Sequence, residues 1–232
     1  MGALTTGEKI VLACESGERE SKESWFMILR NLKHRGLTFP QLTVADGHLG
    51  IWAAFGEIHP TEEEPRCWNL KITNVLNDLP KKAQQKAAEL LKAMPYAETN
   101  ADCERRRDAF VRTDHKTDKK AVETLLRDWD RMVTFYAFRR EHWRHVRTTN
   151  IVESPFSSVR LRTDASRRYK RVEGATAIIW KMLQVAQQAW RKLHAPELLP
   201  LVASGMTFKD GIVLKSGHEK NDRNHQSERT AA

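Results

Sequence analysis

The chain has 232 residues, of which 40% are hydrophobic and 30% charged, and it carries a net charge of +9. This length suits one large domain or two small ones with a buried core. The apolar runs are shorter than a membrane span, and the first residues lack a secretory signal. The three widely spaced cysteines argue against a disulfide framework, so a reducing cytoplasm is the simplest location.

The positive charge is concentrated in one part of the sequence. Residues 139–192 carry 13 Lys and Arg against 4 Asp and Glu, so this stretch accounts for the whole net charge. A localised basic region favours a polyanionic partner, most often nucleic acid. The alternative is a solvated helix face whose charges are balanced by local counter-charges.

The first third of the chain alternates between short apolar runs and one amphipathic segment. Ser21 is a candidate N-cap for the first helix, and Gly36 is its stop signal. In chain order the pattern predicts a strand over 9–14, a helix over 21–35, a strand over 42–44, a helical turn or two over 50–55 and a strand over 66–70.

Beyond residue 74 the apolar spacing is helical. It predicts helices over 80–94, 100–112, 118–138, 153–162 and 173–194, and then a polar tail without periodicity. The order of elements indicates an α/β fold that is interrupted by an all-α insertion and is helix-rich overall.

Two motifs carry acids in contexts that point to chemistry. Residues 43–47, Thr-Val-Ala-Asp-Gly, are an apolar run that ends on Asp46, and residues 147–154, Arg-Thr-Thr-Asn-Ile-Val-Glu-Ser, place Glu153 inside the basic stretch. On the local pattern alone, Asp46 could be a turn residue. Glu153 could be a first-turn acid that follows Asn150 as a helix cap.

These motifs, with residues 66–76 between them and Arg-Leu-Arg at 160–162 after them, resemble the bacterial Mutator-type insertion-sequence transposases. The similarity runs from about residue 4 to about residue 211. The resemblance implies a ribonuclease-H-like catalytic core in which three acids hold two divalent cations, normally Mg²⁺. Asp46 matches the second acid and Glu153 the third.

The resemblance also implies a domain organisation and a set of partners. Residues 1–74 would be a partial catalytic core, 75–140 a helical insertion, 141–212 the rest of the core and 213–232 a disordered tail. DNA would be the main partner, with self-association or association with full-length transposase, in a nucleoid-associated bacterial protein without membrane contact. The expected DNA contacts are Trp143, Arg147, Asn150, Arg160, Arg162, Arg167 and Arg168.

The sequence leaves the roles of one tryptophan and two histidines open. Trp143 could instead be a core residue, and His142 and His145 could be catalytic, although the basic context favours surface positions.

The sequence departs from the family pattern in three places. Leu70 stands where the family has the His of a Cys-x-x-His element that starts at Cys67, and Ile151 stands where it has Pro. The first acid is expected upstream of residue 1, so the core would be incomplete. We therefore expect no more Mg²⁺-dependent nicking by the isolated chain than by Glu153→Ala. The alternative to a transposase is a remnant that binds DNA or intact transposase without catalysis, and an unrelated basic helical protein is the third possibility.

Overall fold

The structure is a computed structural model that describes residues 1–17, 21–38, 43–44, 49–58, 65–114, 118–165 and 169–214. This part of the chain is helix-rich with few strands, which confirms the expectation of a helix-rich fold. In chain order the elements are β1 (Gly2–Ala3), β2 (Lys9–Ile10), α1 (Lys22–His34), α2 (Leu49–Ile58), α3 (Trp68–Asn77), α4 (Lys81–Ala93), α5 (Asn100–Asp114), α6 (Lys119–Leu126), α7 (Trp129–Val133), α8 (Trp143–Val146), α9 (Asn150–Ala165), α10 (Val172–Ala186), α11 (Leu199–Ala203), β3 (Phe208–Lys209) and β4 (Ile212–Val213). Short 3₁₀ helices lie at Met94–Tyr96, Thr134–Ala137, Arg140–His142, Gln187–Ala189 and Pro196–Leu198.

The strands form two separate antiparallel pairs of two residues each. Gly2 lies opposite Ile10 in the first pair, and Phe208 lies opposite Val213 in the second. The predicted strand over 9–14 is therefore reduced to Lys9–Ile10. Of the strand predicted over 42–44, residue 42 lies outside the described residues, and residues 43–44 are not in a strand.

The strand predicted over 66–70 is wrong, because α3 begins at Trp68. Cys67 has extended backbone angles and occupies the N-cap position. Trp68, Ile72 and Val75 are buried on one face at helical spacing. The apolar run before residue 70 is too short to show the helical spacing, because the next buried positions of α3, Ile72 and Val75, lie further along the chain.

The N-terminal helix follows its sequence signals. The Ser24 amide donates to Ser21 Oγ at 3.2 Å, which confirms the N-cap. Gly36 ends the helix with a φ of 89°. α1 packs against α2 around a small core of Leu29, Ala54 and Phe55, and the prediction of helical structure near 50–55 is confirmed.

Most of the buried side chains belong to what we call the helical body, residues 68–146. Its core is continuous from Trp68 to Val146. The indole N–H of Trp68 donates to the Met132 carbonyl at 2.8 Å, and the ring meets Trp129 edge-on at 5.7 Å between centroids. The helix predicted over 118–138 is broken in two here, because Asp128 adopts a left-handed φ of 60° between α6 and α7.

A second, smaller core lies in what we call the basic arm, residues 150–186, which contains α9 and α10. The two helices enclose Val11, Val159 and Leu183. α9 extends the helix predicted over 153–162 at both ends. α10 is shorter than the prediction of 173–194, because the chain leaves the helix through Gln187–Ala189.

The C-terminal hairpin of β3 and β4 is fastened to the helical body. Asp210 Oδ1 accepts the Asn100 amide at 2.7 Å at the start of α5. The Gly211 amide donates to the Tyr136 carbonyl at 3.3 Å. Residues 215–232, which make up most of the predicted disordered tail, lie outside the described residues.

Candidate active site and nucleic-acid interface

Glu153 lies in the first turn of α9 and is exposed. The Thr149 carbonyl accepts the amides of Val152 at 2.8 Å and Glu153 at 3.0 Å, so Thr149 is the residue from which the helix starts. Asn150, which the sequence suggested as the cap, is already the first helical residue. A carboxylate at this end of a helix is stabilised by the unpaired amides and the helix dipole.

The Glu153 carboxylate contacts the side chain of Thr149. The Thr149 hydroxyl donates to Glu153 Oε1 at 2.6 Å. On its other side Thr149 contacts the Cys67 sulfur, with the amide nitrogen at 3.4 Å and the hydroxyl oxygen at 3.3 Å. Cys67 is 3% exposed and Thr149 is 6% exposed. The exposed Glu153 carboxylate is therefore bonded to the buried Thr149 side chain, which in turn contacts the buried Cys67.

Two further hydrogen bonds join the starts of α3 and α9. The Trp68 amide donates to the Arg147 carbonyl at 2.8 Å. The Asn69 side-chain amide donates to Asn150 Oδ1 at 3.1 Å. We call residues 67–69 and 147–153 the seam, because they connect the helical body to the basic arm.

Arg147 is engaged inside the protein. Its guanidinium donates to the Pro95 carbonyl at 2.5 Å and lies over the Tyr96 ring at 4.4 Å from the centroid. Burial lowers the pKa of Arg147, and the neighbouring tyrosines partly offset that effect. The arrangement gives Arg147 a structural role in holding the seam.

Trp143 lies in the core of the helical body and is 4% exposed. Its ring meets Phe135 and Tyr136 edge-on, at 5.3 and 4.8 Å between centroids. Its indole N–H donates to the Phe138 carbonyl at 2.8 Å. This placement favours the core role that the sequence left open, since stacking on a base would require the ring to leave these contacts.

The expectation that both histidines are surface residues is wrong for His142, whereas His145 is partly exposed. His142 is buried, with Nε2 at 3.1 Å from the Ala195 carbonyl. His145 Nε2 accepts the His194 amide at 2.8 Å. Burial, reinforced by the positive charge of Arg144, lowers the pKa of His145 to about 4. Each ring thus has a hydrogen-bond contact with the backbone of residues 194–195, and contacts between such distant residues have no local sequence signal.

The outer surface of the basic arm carries cationic side chains. Arg160 and Arg162 are exposed on α9, and Lys170, Arg171 and Lys181 are exposed further along the arm. Leu161, between the two arginines, is 77% exposed. Three of the predicted site residues, Asp46, Arg167 and Arg168, lie outside the described residues.

The described part of the chain does not complete a metal site on its own. It contains no group of three or more His, Cys, Asp and Glu side chains that could hold a metal ion. Glu153 offers one exposed carboxylate, a hard oxygen ligand that suits Mg²⁺.

No helix in the described ranges is long and apolar enough to cross a membrane.

A localised cationic surface on one part of the chain is typical of proteins that bind nucleic acid. Residues 1–193 match the model of the Mutator family of transposases. The chain is 40% identical over 213 residues to the transposase for insertion sequence element IST2 of Acidithiobacillus ferrooxidans, which covers 91% of this chain and 72% of that protein. It is 38% identical over 215 residues to the transposase for IS6120 of Mycolicibacterium smegmatis, or 93% of this chain and 67% of that protein.

A more distant relative is the transposase for ISRM5 of Rhizobium meliloti, 27% identical over 192 residues, which are 81% of this chain and 47% of that protein. The chain therefore belongs to the Mutator family of transposases, as the two acid motifs and the residues between them predicted. It is an insertion-sequence transposase, a member of a class of enzymes that cleave and transfer DNA and generally use a divalent metal ion.

Proposed function

We propose that Glu153, together with Asp46, supplies carboxylates to a metal-dependent site of the three-acid class that cleaves and transfers DNA strands at the ends of an insertion sequence. The observation that carries this proposal is the position of Glu153. It is an exposed carboxylate in the first turn of a basic helix, and the hydroxyl of the buried Thr149 side chain donates a hydrogen bond to it.

An anionic carboxylate on this surface works against DNA binding unless it has a cation to hold. Arg160 and Arg162 lie on the same helix, where they attract phosphate, whereas Glu153 repels it. A pair of divalent cations, normally Mg²⁺, would supply activation of the attacking oxygen and stabilisation of the leaving oxygen when bound. In this proposal the protein's part is to hold Glu153 and the DNA backbone next to each other.

The DNA backbone is assigned to the outer surface of the basic arm. Arg160 and Arg162 are exposed on α9, and Asn150 is exposed at its start. Arg167 and Arg168 follow in the sequence between the two helices of the arm. Contacts of this kind position a duplex without reading its sequence. Arg147 and Trp143 would act indirectly, because their side chains are engaged within the helical body.

Three broader elements of the proposal follow from family membership. The catalytic core would be ribonuclease-H-like, with residues 75–140 as a helical insertion. The protein would work as a self-associated complex, or with full-length transposase, at the two ends of one element. Its reaction would take place on DNA in the bacterial cytoplasm.

The catalytic role is tested by transposition in cells. The assay plasmid carries the insertion sequence with its own two ends, the coding region of this chain and the DNA that flanks that region. New insertions of the element are then counted. Glu153→Gln removes the charge and keeps the shape, so we expect transposition to fall by at least about 10²-fold. The matched control is Glu173→Gln, since Glu173 is an exposed acid in the first turn of α10 on the same arm. Glu173→Gln should transpose like the wild type.

Two results would contradict the proposal. Wild-type frequency from Glu153→Gln would remove this carboxylate from the reaction. Absence of transposition with the wild-type chain would favour a remnant that binds DNA or intact transposase without catalysis.

The DNA surface is tested separately by the salt dependence of binding to duplex DNA. Replacing Arg160 and Arg162 together by Ala should weaken binding and reduce the slope of log K against log salt by about 2, as expected for two lost phosphate contacts. The control replaces Lys82 and Lys86, which are exposed on α4 of the helical body. An equal change in both variants would show that the arm is not the preferred surface.

A further inference from the structure

We propose that Thr149 and Cys67 are positioning residues for Glu153, and that they fix the orientation of its carboxylate for the reaction. This inference rests on the proposed function of Glu153. It concerns two buried side chains: Cys67 lies at the start of α3, and Thr149 is the residue before α9.

The hydrogen-bond geometry gives this arrangement a direction. A hydroxyl has one hydrogen, and the 2.6 Å distance from Thr149 Oγ1 to Glu153 Oε1 is in the range of a bond to a charged carboxylate. With that hydrogen directed at Glu153, the hydroxyl oxygen has lone pairs left for the Cys67 thiol at 3.3 Å. The Cys67 sulfur is in turn within 3.4 Å of the Thr149 amide, which donates to it.

Burial makes the arrangement rigid. Cys67 and Thr149 are among the buried residues of the protein, and Cys67 directly precedes Trp68, the first residue of α3 and a member of the main core. Water has little access to compete for the Thr149 hydroxyl from below. A glutamate side chain on a helix surface otherwise samples several rotamers, so a fixed hydrogen bond to one oxygen reduces the entropy lost when the carboxylate takes up its reactive orientation.

The Thr149 hydroxyl is not needed to join the two helices. The Trp68 amide bond to the Arg147 carbonyl and the bond between Asn69 and Asn150 connect the same two helix starts. The Thr149 carbonyl, and not its hydroxyl, accepts the first amides of α9. Loss of the hydroxyl should therefore release Glu153 while α9 stays in place.

The test compares Thr149→Val, which removes the hydroxyl at nearly constant shape, with Thr149→Ser, which keeps it. In the transposition assay we expect Thr149→Val to lower the frequency about 10–100-fold, the usual effect of losing a group that orients a ligand. Thr149→Ser should restore most of it. The midpoint of thermal unfolding should be similar in both variants.

The second readout does not depend on transposition. In protein labelled with ¹³C at the glutamate carboxylates, the Glu153 signal is identified by its loss in Glu153→Gln. We expect this signal to move in Thr149→Val and to stay in place in Thr149→Ser, because only Val removes the hydrogen bond.

Cys67→Ala should lower transposition less than Thr149→Val, since the hydroxyl can still donate to Glu153 after the sulfur is removed. The matched control is Cys103→Ala, because Cys103 is also a free, buried cysteine of the helical body. We expect Cys103→Ala to lower the unfolding midpoint without lowering transposition per folded molecule.

The outcomes separate this inference from the function on which it rests. An unmoved Glu153 signal in Thr149→Val, or unchanged transposition in that variant while Glu153→Gln is inactive, would overturn the positioning role. An active Glu153→Gln, or an inactive wild type, would overturn the proposed function and with it any positioning for the reaction.

Discussion

The helical body and the basic arm are both built from helices, but they bury their apolar residues to very different degrees. In the body, aromatic and aliphatic side chains from α3 to α8 form one continuous core. The indole N–H groups of Trp68 and Trp143 are hydrogen-bonded there, whereas the buried indole nitrogen of Trp129 has no partner among the described residues. In the arm, α9 and α10 close over a small core, and Leu161 and Val172 face outward.

The difference indicates a division of labour. A well-packed body resists deformation and can keep reactive side chains in fixed positions. A basic arm with little core of its own can present charge to a polyanion. Glu153 lies where the two meet, and Thr149 and Cys67 of the seam, which fastens the arm to the body, support it. The arm would then carry the DNA, while the body fixes the acid.

Leu→Ala substitutions in the two cores should change the unfolding free energy by different amounts, and this is the strongest of the predicted contrasts. Leu125 and Leu183 are both fully buried, the first in the body and the second in the arm. Leu125→Ala should cost about 2–5 kcal/mol of unfolding free energy. Leu183→Ala should cost under about 2 kcal/mol, because half-buried neighbours can close around the space. Urea unfolding of both variants measures this, and equal losses would abolish the contrast.

A smaller loss of stability is expected from a substitution in the C-terminal hairpin of β3 and β4, which is bonded to the helical body. Gly211 has a φ of +81°, and an added Cβ would lie 2.7 Å from Arg140 Cβ and 3.0 Å from its amide nitrogen. Gly211→Ala should therefore destabilise the protein by about 1–3 kcal/mol. Gly36→Ala is the control, because Gly36 has a φ of +89° and no atom within 4 Å of such a Cβ. A cost at Gly211 no greater than at Gly36 would show that the hairpin is not held against Arg140.

The smallest effect is a pH dependence at the end of the body. His145 has a pKa of about 4 in the folded protein, against about 6.5 in an unfolded chain. The unfolded state thus binds more protons between pH 6.5 and 4, so stability falls as the pH is lowered through this window. In His145→Gln, whose side-chain oxygen can still accept the His194 amide, the unfolding midpoint should fall less between pH 7 and 5. Parallel pH profiles for the two proteins would contradict this assignment.

The sequence predicted the features that depend on local periodicity and end signals. The N-cap at Ser21, the stop at Gly36 and the helices after Pro80 and Asn100 follow from them. The helix at 118–138 failed because one left-handed residue, Asp128, has no strong local signal. The strand at 66–70 failed because four or five residues cannot distinguish a strand from the start of a helix.

The site could be predicted only in part, and for a physical reason. The motif around Glu153 is local, so the sequence alone could single it out, and the family to which the motif pointed is confirmed. The catalytic role of Glu153 stays a prediction. The contact between Cys67 and Thr149 joins residues 82 positions apart, and the backbone partners of the His142 and His145 rings are about 50 positions away. Tertiary packing creates such contacts, and a single sequence carries no pattern for them.

The division between body and arm is tested most directly by hydrogen exchange of the backbone amides with and without duplex DNA from an element end, at low salt. We expect DNA to slow exchange in α9 and α10 and to leave α4 to α6 unchanged, and we expect the difference to disappear at high salt. Slowed exchange confined to α4 to α6, with none in the arm, would contradict it.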